Sequence, residues 1–145
     1  ELLFITVHQV YELWFQQLLF ELETIRDAMM TGETWRARHL LRRVHAIERL
    51  LITQVDVLET MTPQDFLEFR AGLAPASGFQ SAQYRELEFL SGVKDRAFIA
   101  RFRALTEGER QRLHRRLAEP SLWDAYLTLL ASRGLAVSTW RGRWV

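Results

Sequence analysis

A histidine lies within a line of aromatic residues near the start of the chain. The line has the i, i+4, i+7, i+11 spacing of one helical face and consists of Phe4, His8, Tyr11 and Phe15. Two interpretations of His8 stay open: a core histidine bonded to a backbone carbonyl, or a histidine that lines an apolar pocket for a flat ligand. The other three histidines lie among arginines and are expected to be solvated: His39, His45 and His114.

Phe66 and Arg70 form a second group that could bind a ligand. They are four residues apart, so they share one face of a helix. An arginine in such a place is commonly a surface charge with a packed stem. Alternatively, its guanidinium binds a ligand carboxylate while the neighbouring ring holds an apolar body. No nucleophile triad, phosphate loop, paired catalytic acids or HExxH motif is present. The residues alone therefore indicate an aromatic-lined pocket without naming its ligand.

The composition is typical of a folded globular domain. Of the 145 residues, 48% are hydrophobic and 26% are charged. The net charge of +1 gives no general reason to expect nucleic acid or an anionic membrane as a partner. Because the chain has no cysteine, thiolate metal sites are excluded, and iron would need histidine, carboxylate or oxygen ligands. The lack of cysteine also suits a reducing cytoplasm.

Helical periodicity predicts two long helices that carry these residues. The first runs from Leu2 to about Met30, with apolar residues around most of its circumference, which is typical of a helix surrounded by others. After a break at Thr31 and Gly32, the second runs from about Glu33 to Met61. Its predicted inward residues are Leu40, Val44, Ile47, Leu51, Val55 and Leu58. We expect the two helices to pack antiparallel.

Start and stop signals predict four shorter helices. One begins at Thr62-Pro63 and ends near Gly72. After a loop at residues 74–79, the next runs from Ser81 to Leu90. The last two begin at Thr106 and Ser121, each with a capping signal. Without any alternating strand pattern, the prediction is a single all-α domain over residues 1–145, a helical bundle with two long antiparallel helices.

Three sequence blocks resemble the tryptophan 2,3-dioxygenase family. They are Leu3–Phe15, Leu58–Arg70 and Leu73–Ser81, in the family's order and at its spacing. A weaker likeness continues through Pro120–Asp124. The resemblance implies an all-α enzyme that uses haem b and O₂ to open the indole 2,3 bond of L-tryptophan, which gives N-formylkynurenine. It also implies a homotetramer. From the charge balance and the lack of cysteine and of a long apolar run, we expect a cytoplasmic protein that binds neither nucleic acid nor membrane.

The resemblance assigns roles to individual residues. His8 matches the distal histidine that contacts the indole N–H, and Phe4 matches a ring packed against the substrate. Phe66 matches an aromatic wall, and Arg70 matches the arginine that pairs with the substrate carboxylate. The other positions that it implies are substrate-binding Ile5, Thr6 and Val7, and the haem-contacting Ser77 and Gly78.

Parts of the family's site have no counterpart in this sequence. The family's proximal histidine lies on a later helix, and no histidine follows His114 here. The glycine-rich segment and threonine that close over the substrate, and the N-terminal segment with its tyrosines, are also unmatched. We therefore expect the chain to be part of a longer haem dioxygenase, with both of its ends cut.

Two alternatives stay open. One is a related haem enzyme that inserts a single oxygen into an indole. The other is an inactive helical module that keeps the fold for oligomerisation. The product of the reaction separates the first from a dioxygenase, and haem absorbance separates the second.

Overall fold

The computed structural model of the chain describes residues 2–73, 80–102, 104–135 and 137. These residues form seven α-helices: α1 (Leu2–Met30), α2 (Thr34–Glu59), α3 (Pro63–Leu73), α4 (Ala82–Ser91), α5 (Arg96–Arg101), α6 (Glu107–Ala118) and α7 (Leu122–Ser132). The described ranges contain no strand, so the predicted all-α class is confirmed. None of their helices has the length and apolar character needed to cross a membrane.

The two long helices pack antiparallel, as predicted. Gly32 has a positive φ of 79°, which glycine adopts without strain, and it turns the chain between them. Residue numbers then rise along α1 while they fall along α2. Side-chain hydrogen bonds of 3.2, 2.7 and 2.6 Å between the two helices connect Val7 with Gln54, Tyr11 with Leu51, and Glu21 with Arg43.

Two apolar clusters hold the helices together. α1 packs against α2, α4 and α7, and α4 packs in turn against α6 and α7. The larger cluster lies mainly between α1 and α2 and consists of Leu18, Leu19, Leu22, Ile25, Ala28, Ala37, Val44, Ile47 and Leu90. The smaller cluster joins α4, α5 and α6 through Phe89, Phe98, Ile99 and Leu113. The prediction that α1 is surrounded on several sides is thus confirmed.

The chain departs from the predicted helices in three places. α5 was not predicted, because its six residues are too few to reveal a helical period. The third helix passes Gly72 and ends at Leu73. Val55 was expected to face inward but is 43% exposed. At this level Gln54 faces α1, since its side chain donates to the Val7 carbonyl oxygen, and Val55 lies about 100° further around the helix.

A buried ionic network fixes α6 against α4 and α1. Glu86, 2% exposed, accepts hydrogen bonds from Arg112 at 2.8 Å and from Arg116 at 3.2 Å. Arg116, 4% exposed, also pairs with Glu119 at 2.7 Å and with Glu23. Breaking such a buried pair by removing one partner typically costs about 3–5 kcal/mol. The network therefore holds α4 and α1 together through the arginines of α6.

Candidate functional site

Four side chains of α1 and α3 form a compact group that we call the ring cluster: Phe4, His8, Phe66 and Phe69. The Phe4 and His8 ring centroids are 4.0 Å apart. Phe4 also lies 5.9 Å from Phe66 and 5.5 Å from Phe69, and those two α3 rings meet edge to face at 5.5 Å. Such distances are those of favourable aromatic contacts. The structure thus brings Phe4, His8 and Phe66, all singled out from the sequence, into one place.

The hydrogen bond of His8 determines which ring nitrogen carries its proton. The His8 Nδ1 atom lies 2.7 Å from the Phe4 carbonyl oxygen. A carbonyl oxygen only accepts, so Nδ1 must be the donor, and the neutral imidazole then keeps a lone pair on Nε2. His8 is half-buried. The bond to a backbone carbonyl is confirmed. That His8 lines a pocket for a flat ligand stays a prediction, with which the free Nε2 acceptor is compatible.

The aromatic line of α1 divides into two parts in the fold. Phe4 contacts α3 and His8 packs against Phe4, whereas the Tyr11 hydroxyl donates to the Leu51 carbonyl oxygen at 2.7 Å. Burial raises the pKa of Tyr11, so its phenol stays protonated as that donor. Phe15 contacts the Tyr84 ring at 5.5 Å. Tyr11 and Phe15 therefore anchor α1, while Phe4 and His8 supply the candidate site.

Arg70 follows Phe66 by one helical turn on α3, and its side chain is exposed. Within the described parts of the chain, no carboxylate pairs with it. A guanidinium without an internal partner is available for an external anion. The structure thus leaves Arg70 accessible at the edge of the ring cluster.

The other predicted site residues differ in their surroundings. Val7 is buried against α2, and its carbonyl accepts a hydrogen bond from Gln54. Ile5 and Thr6 are exposed. Thr6 is two residues from Phe4, which places it about 200° away around the helix. Their substrate-binding role stays a prediction, as does the haem contact of residues 77 and 78, which lie outside the described residues.

Phe69 belongs to the site although the sequence analysis did not select it. It contacts both Phe4 and Phe66, and it also borders an open groove of about 510 Å³. The other residues that line this groove are Leu3, Thr60, Met61, Asp65 and Glu68. The i, i+3 spacing of Phe66 and Phe69 was the available signal.

Hydrogen bonds fix the start of α3 next to the groove. The Asp65 carboxylate accepts from the Thr62 backbone N–H at 2.9 Å and from its hydroxyl at 2.7 Å. These bonds lower the pKa of Asp65, so the carboxylate remains charged. The Asp65 backbone N–H donates in turn to the Thr62 hydroxyl oxygen at 3.2 Å, which completes a reciprocal cap. The cap orients the first turn of α3, and with it Phe66.

The described residues offer a binding wall and no metal-binding set. Among them, no group of three or more His, Cys, Asp or Glu side chains could hold a metal ion. His39, His45 and His114 are exposed, as predicted, and the His39 ring stacks on Trp35 at 5.3 Å, away from the ring cluster. Of the four histidines, His8 is thus the one that belongs to the ring cluster.

The fold and the site define an all-α protein in which aromatic rings of the first and third helices meet beside one histidine. The family model described as tryptophan 2,3-dioxygenase matches residues 1–138, and the chain belongs to this family. Members of the family depend on haem. The sequence resemblance to this family is thereby confirmed.

Individual relatives agree with the family match. A tryptophan 2,3-dioxygenase of Nocardioides sp. is 64% identical over 143 residues, which cover 96% of this chain and 54% of that protein. The enzyme of the same name from Herpetosiphon aurantiacus is 50% identical, with 94% of this chain and 52% of the relative covered. A third, from Anaeromyxobacter sp., is 47% identical, with 94% of this chain and 51% of the relative covered. The chain spans about half the length of these curated relatives.

Proposed function

We propose that the chain supplies the substrate-holding wall of a tryptophan 2,3-dioxygenase. The observation that carries the proposal is the ring cluster, in which Phe4, His8 and Phe66 meet while the Nε2 lone pair of His8 stays available. The reaction opens the indole C2–C3 bond of L-tryptophan. Both atoms of O₂ enter the product, where C2 and C3 become carbonyl carbons, so N-formylkynurenine forms without an external reductant.

Each residue then has a separate task. Phe4 and Phe66 form one aromatic wall against which the indole packs, since flat apolar rings pack favourably against other rings. The Nε2 atom of His8 accepts the indole N–H hydrogen bond and thereby sets the orientation of the ring. Arg70 binds the carboxylate with two parallel N–H···O bonds. Fixing a substrate in this way lowers the entropic part of the barrier.

The described residues fit the distal side of a haem. The ring cluster offers an apolar wall suited to a flat macrocycle, and its one polar atom with a free lone pair is the Nε2 of His8. The family resemblance assigns Ser77 and Gly78 to the haem contact. The haem, when bound, supplies the activation of O₂. The protein's own residues bind and orient the substrate and exclude water from it.

Three further features belong to the proposal by family resemblance. Residues 1–145 act as one all-α domain of the enzyme. The enzyme assembles as a homotetramer, and it works in the cytoplasm. Size measurement and fractionation of a protein that contains this sequence test the last two.

Isotope-labelled oxygen tests the reaction. A chimera is made in which residues 1–145 replace the matching half of the Nocardioides sp. relative, and it is loaded with haem and supplied with L-tryptophan and ¹⁸O₂. We expect N-formylkynurenine with two labelled oxygens, as from the unmodified relative. Insertion of one labelled oxygen into an intact indole would indicate the monooxygenase alternative. A haem-loaded chimera without any product would contradict the proposal.

A further inference from the structure

One exposed line of α1 has the composition of a buried surface. Six residues follow each other at alternating steps of four and three, and we call them the α1 ridge: Leu2, Thr6, Gln9, Leu13, Gln16 and Phe20. All six are exposed, and the three apolar members are 77%, 67% and 64% exposed for Leu2, Leu13 and Phe20. Among the described residues, this line of three large apolar and three uncharged polar side chains has no partner that covers it.

The α1 ridge lacks charge, unlike the corresponding line of α2. No member of the ridge is an Asp, Glu, Lys or Arg, although the ridge extends over about 27 Å. On α2, the exposed residues seven apart are Trp35, Arg42, Arg49 and Asp56, three of which are charged. A solvated helix face is normally charged, whereas the cores of interfaces are depleted of charged residues. The two long helices therefore differ in the charge that they carry along these two exposed lines.

The spacing of the ridge selects the shape of its partner. Steps of four and three residues repeat with the 3.5-residue period at which two helices keep one seam in contact. Helices that pack in this way cross at about 20°. The two glutamines and the threonine of the α1 ridge favour a partner with apolar or uncharged polar side chains. The ridge thus fits a second helix that lies nearly parallel or antiparallel to α1.

We propose that the α1 ridge is the packing surface for an α-helix from the half of the family fold that lies outside the match. The relatives from Nocardioides sp. and Herpetosiphon aurantiacus have about half of their length outside it, since the match covers 54% and 52% of them. A second copy of this chain suits the ridge less well. One helix face offers roughly 300 Å², and a stable association between separate molecules buries about 800 Å² on each partner.

A helix of the same fold avoids the entropic cost of bringing two molecules together. The proposal rests on family membership and not on the reaction, so its test needs no turnover. The chain contains no cysteine, which allows single-cysteine labelling at chosen positions. Leu13→Cys reports on the ridge, and Gln9→Cys is a second reporter at a polar position that tolerates the change. Arg49→Cys on the charged line of α2 is the matched control.

Each variant is made in the isolated chain and in the chimera with the Nocardioides sp. relative, whose own cysteines are replaced by serine. The rate of reaction with a thiol reagent is then compared. We expect both ridge positions to react about tenfold or more slowly in the chimera, since a packed thiol reacts only on local opening. The control position should react at equal rates in the two proteins.

Two results would overturn the proposal. Equal rates at Leu13→Cys and Gln9→Cys in both proteins would show that the ridge stays solvated. Protection already present in the isolated chain, and rising with its concentration, would show that a second copy covers the ridge. Because activity is not measured, an inactive chimera with a protected ridge would count against the proposed reaction and leave this inference intact.

Discussion

The position of one proton decides what the candidate site can recognise. His8 donates from Nδ1 to the Phe4 carbonyl, four residues back on the same helix, so the bond depends on α1 alone. The acceptor at Nε2 is therefore set before any ligand arrives, and a ligand N–H finds a lone pair already in place. If His8 carried its proton on Nε2, that N–H would face the indole N–H. Two donors cannot form a hydrogen bond with each other, so the indole would not be bound there.

The tautomer of His8 can be measured in the 145-residue chain itself. We expect ¹⁵N NMR at about pH 8, above the ordinary histidine pKa, to show a protonated Nδ1 and an unprotonated Nε2. The three exposed histidines serve as internal references, because their rings are free to exchange between forms. A spectrum with the His8 proton on Nε2 would be incompatible with the role as indole acceptor.

Removing the imidazole should weaken turnover without abolishing it. In the haem-loaded chimera, His8→Ala loses one hydrogen bond to the indole while Phe4, Phe66 and Arg70 still hold the substrate. We expect kcat/KM for L-tryptophan to fall by a factor corresponding to about 0.5–1.5 kcal/mol. Haem content, measured in parallel, controls for damage to the cofactor site. Complete loss of activity with haem retained would mean that His8 transfers a proton essential to the reaction.

At the scale of elements, short-range signals determined where most helices begin. The predicted caps at Thr62, Thr106 and Ser121 are all present, each with a reciprocal bond to the acid three residues later. These bonds are local, so three or four neighbouring residues suffice to predict them. α5 was not predicted, because its six residues are too few to show a helical repeat of apolar positions. Its Phe98 and Ile99 are buried by the tertiary packing around them.

The cap of α6 gives a pH-dependent contribution to stability. Hydrogen bonds from the Thr106 side chain and backbone lower the pKa of Glu109 from its ordinary 4.5. The folded chain therefore binds this proton less readily than the unfolded chain. The contribution is fully present above the unfolded pKa and is lost as the pH falls through the folded pKa.

Thr106→Ala tests this cap. We expect a loss of about 1 kcal/mol in the free energy of unfolding at neutral pH, and a smaller loss in acid well below the ordinary pKa of 4.5, where Glu109 takes up its proton. Denaturant titration at both pH values measures it. Thr53→Ala, an exposed threonine within α2, is the control and should change little. Equal losses at both pH values would argue that Glu109 does not contribute through its charge.

At the scale of the whole molecule, the sequence predicted the fold class and left the tertiary detail unknown. Periodicity and caps predicted the helices. The i, i+4 pairs selected Phe4, His8, Phe66 and Arg70 as candidate ligand-binding residues. The contact of Phe69 with Phe4 depends on how α3 crosses α1, which no local pattern encodes. The buried Glu86–Arg116 pair joins residues thirty positions apart, so no local pattern indicates it.

The arrangement of histidines predicts how the 145-residue chain treats added haem. His8 lies on the proposed substrate side, and the other three histidines are exposed elsewhere. We expect weak, heterogeneous binding without a defined histidine-ligated absorbance spectrum. The chimera, which carries the relative's other half, should bind haem stoichiometrically. A clean histidine-ligated spectrum of the 145-residue chain, unchanged by His8→Ala, would contradict this expectation.

The central claim is that the ring cluster and Arg70 together recognise an indole that carries a carboxylate. Titration of the haem-loaded chimera with L-tryptophan and with tryptamine, which lacks the carboxylate, tests it most directly through the shift of the haem absorbance. We predict that L-tryptophan binds at least about tenfold more tightly, and that Arg70→Lys removes most of this preference because lysine has no bidentate fork. Equal affinities for the two ligands in the unsubstituted chimera would contradict the claim, as would an equal loss for both in Arg70→Lys.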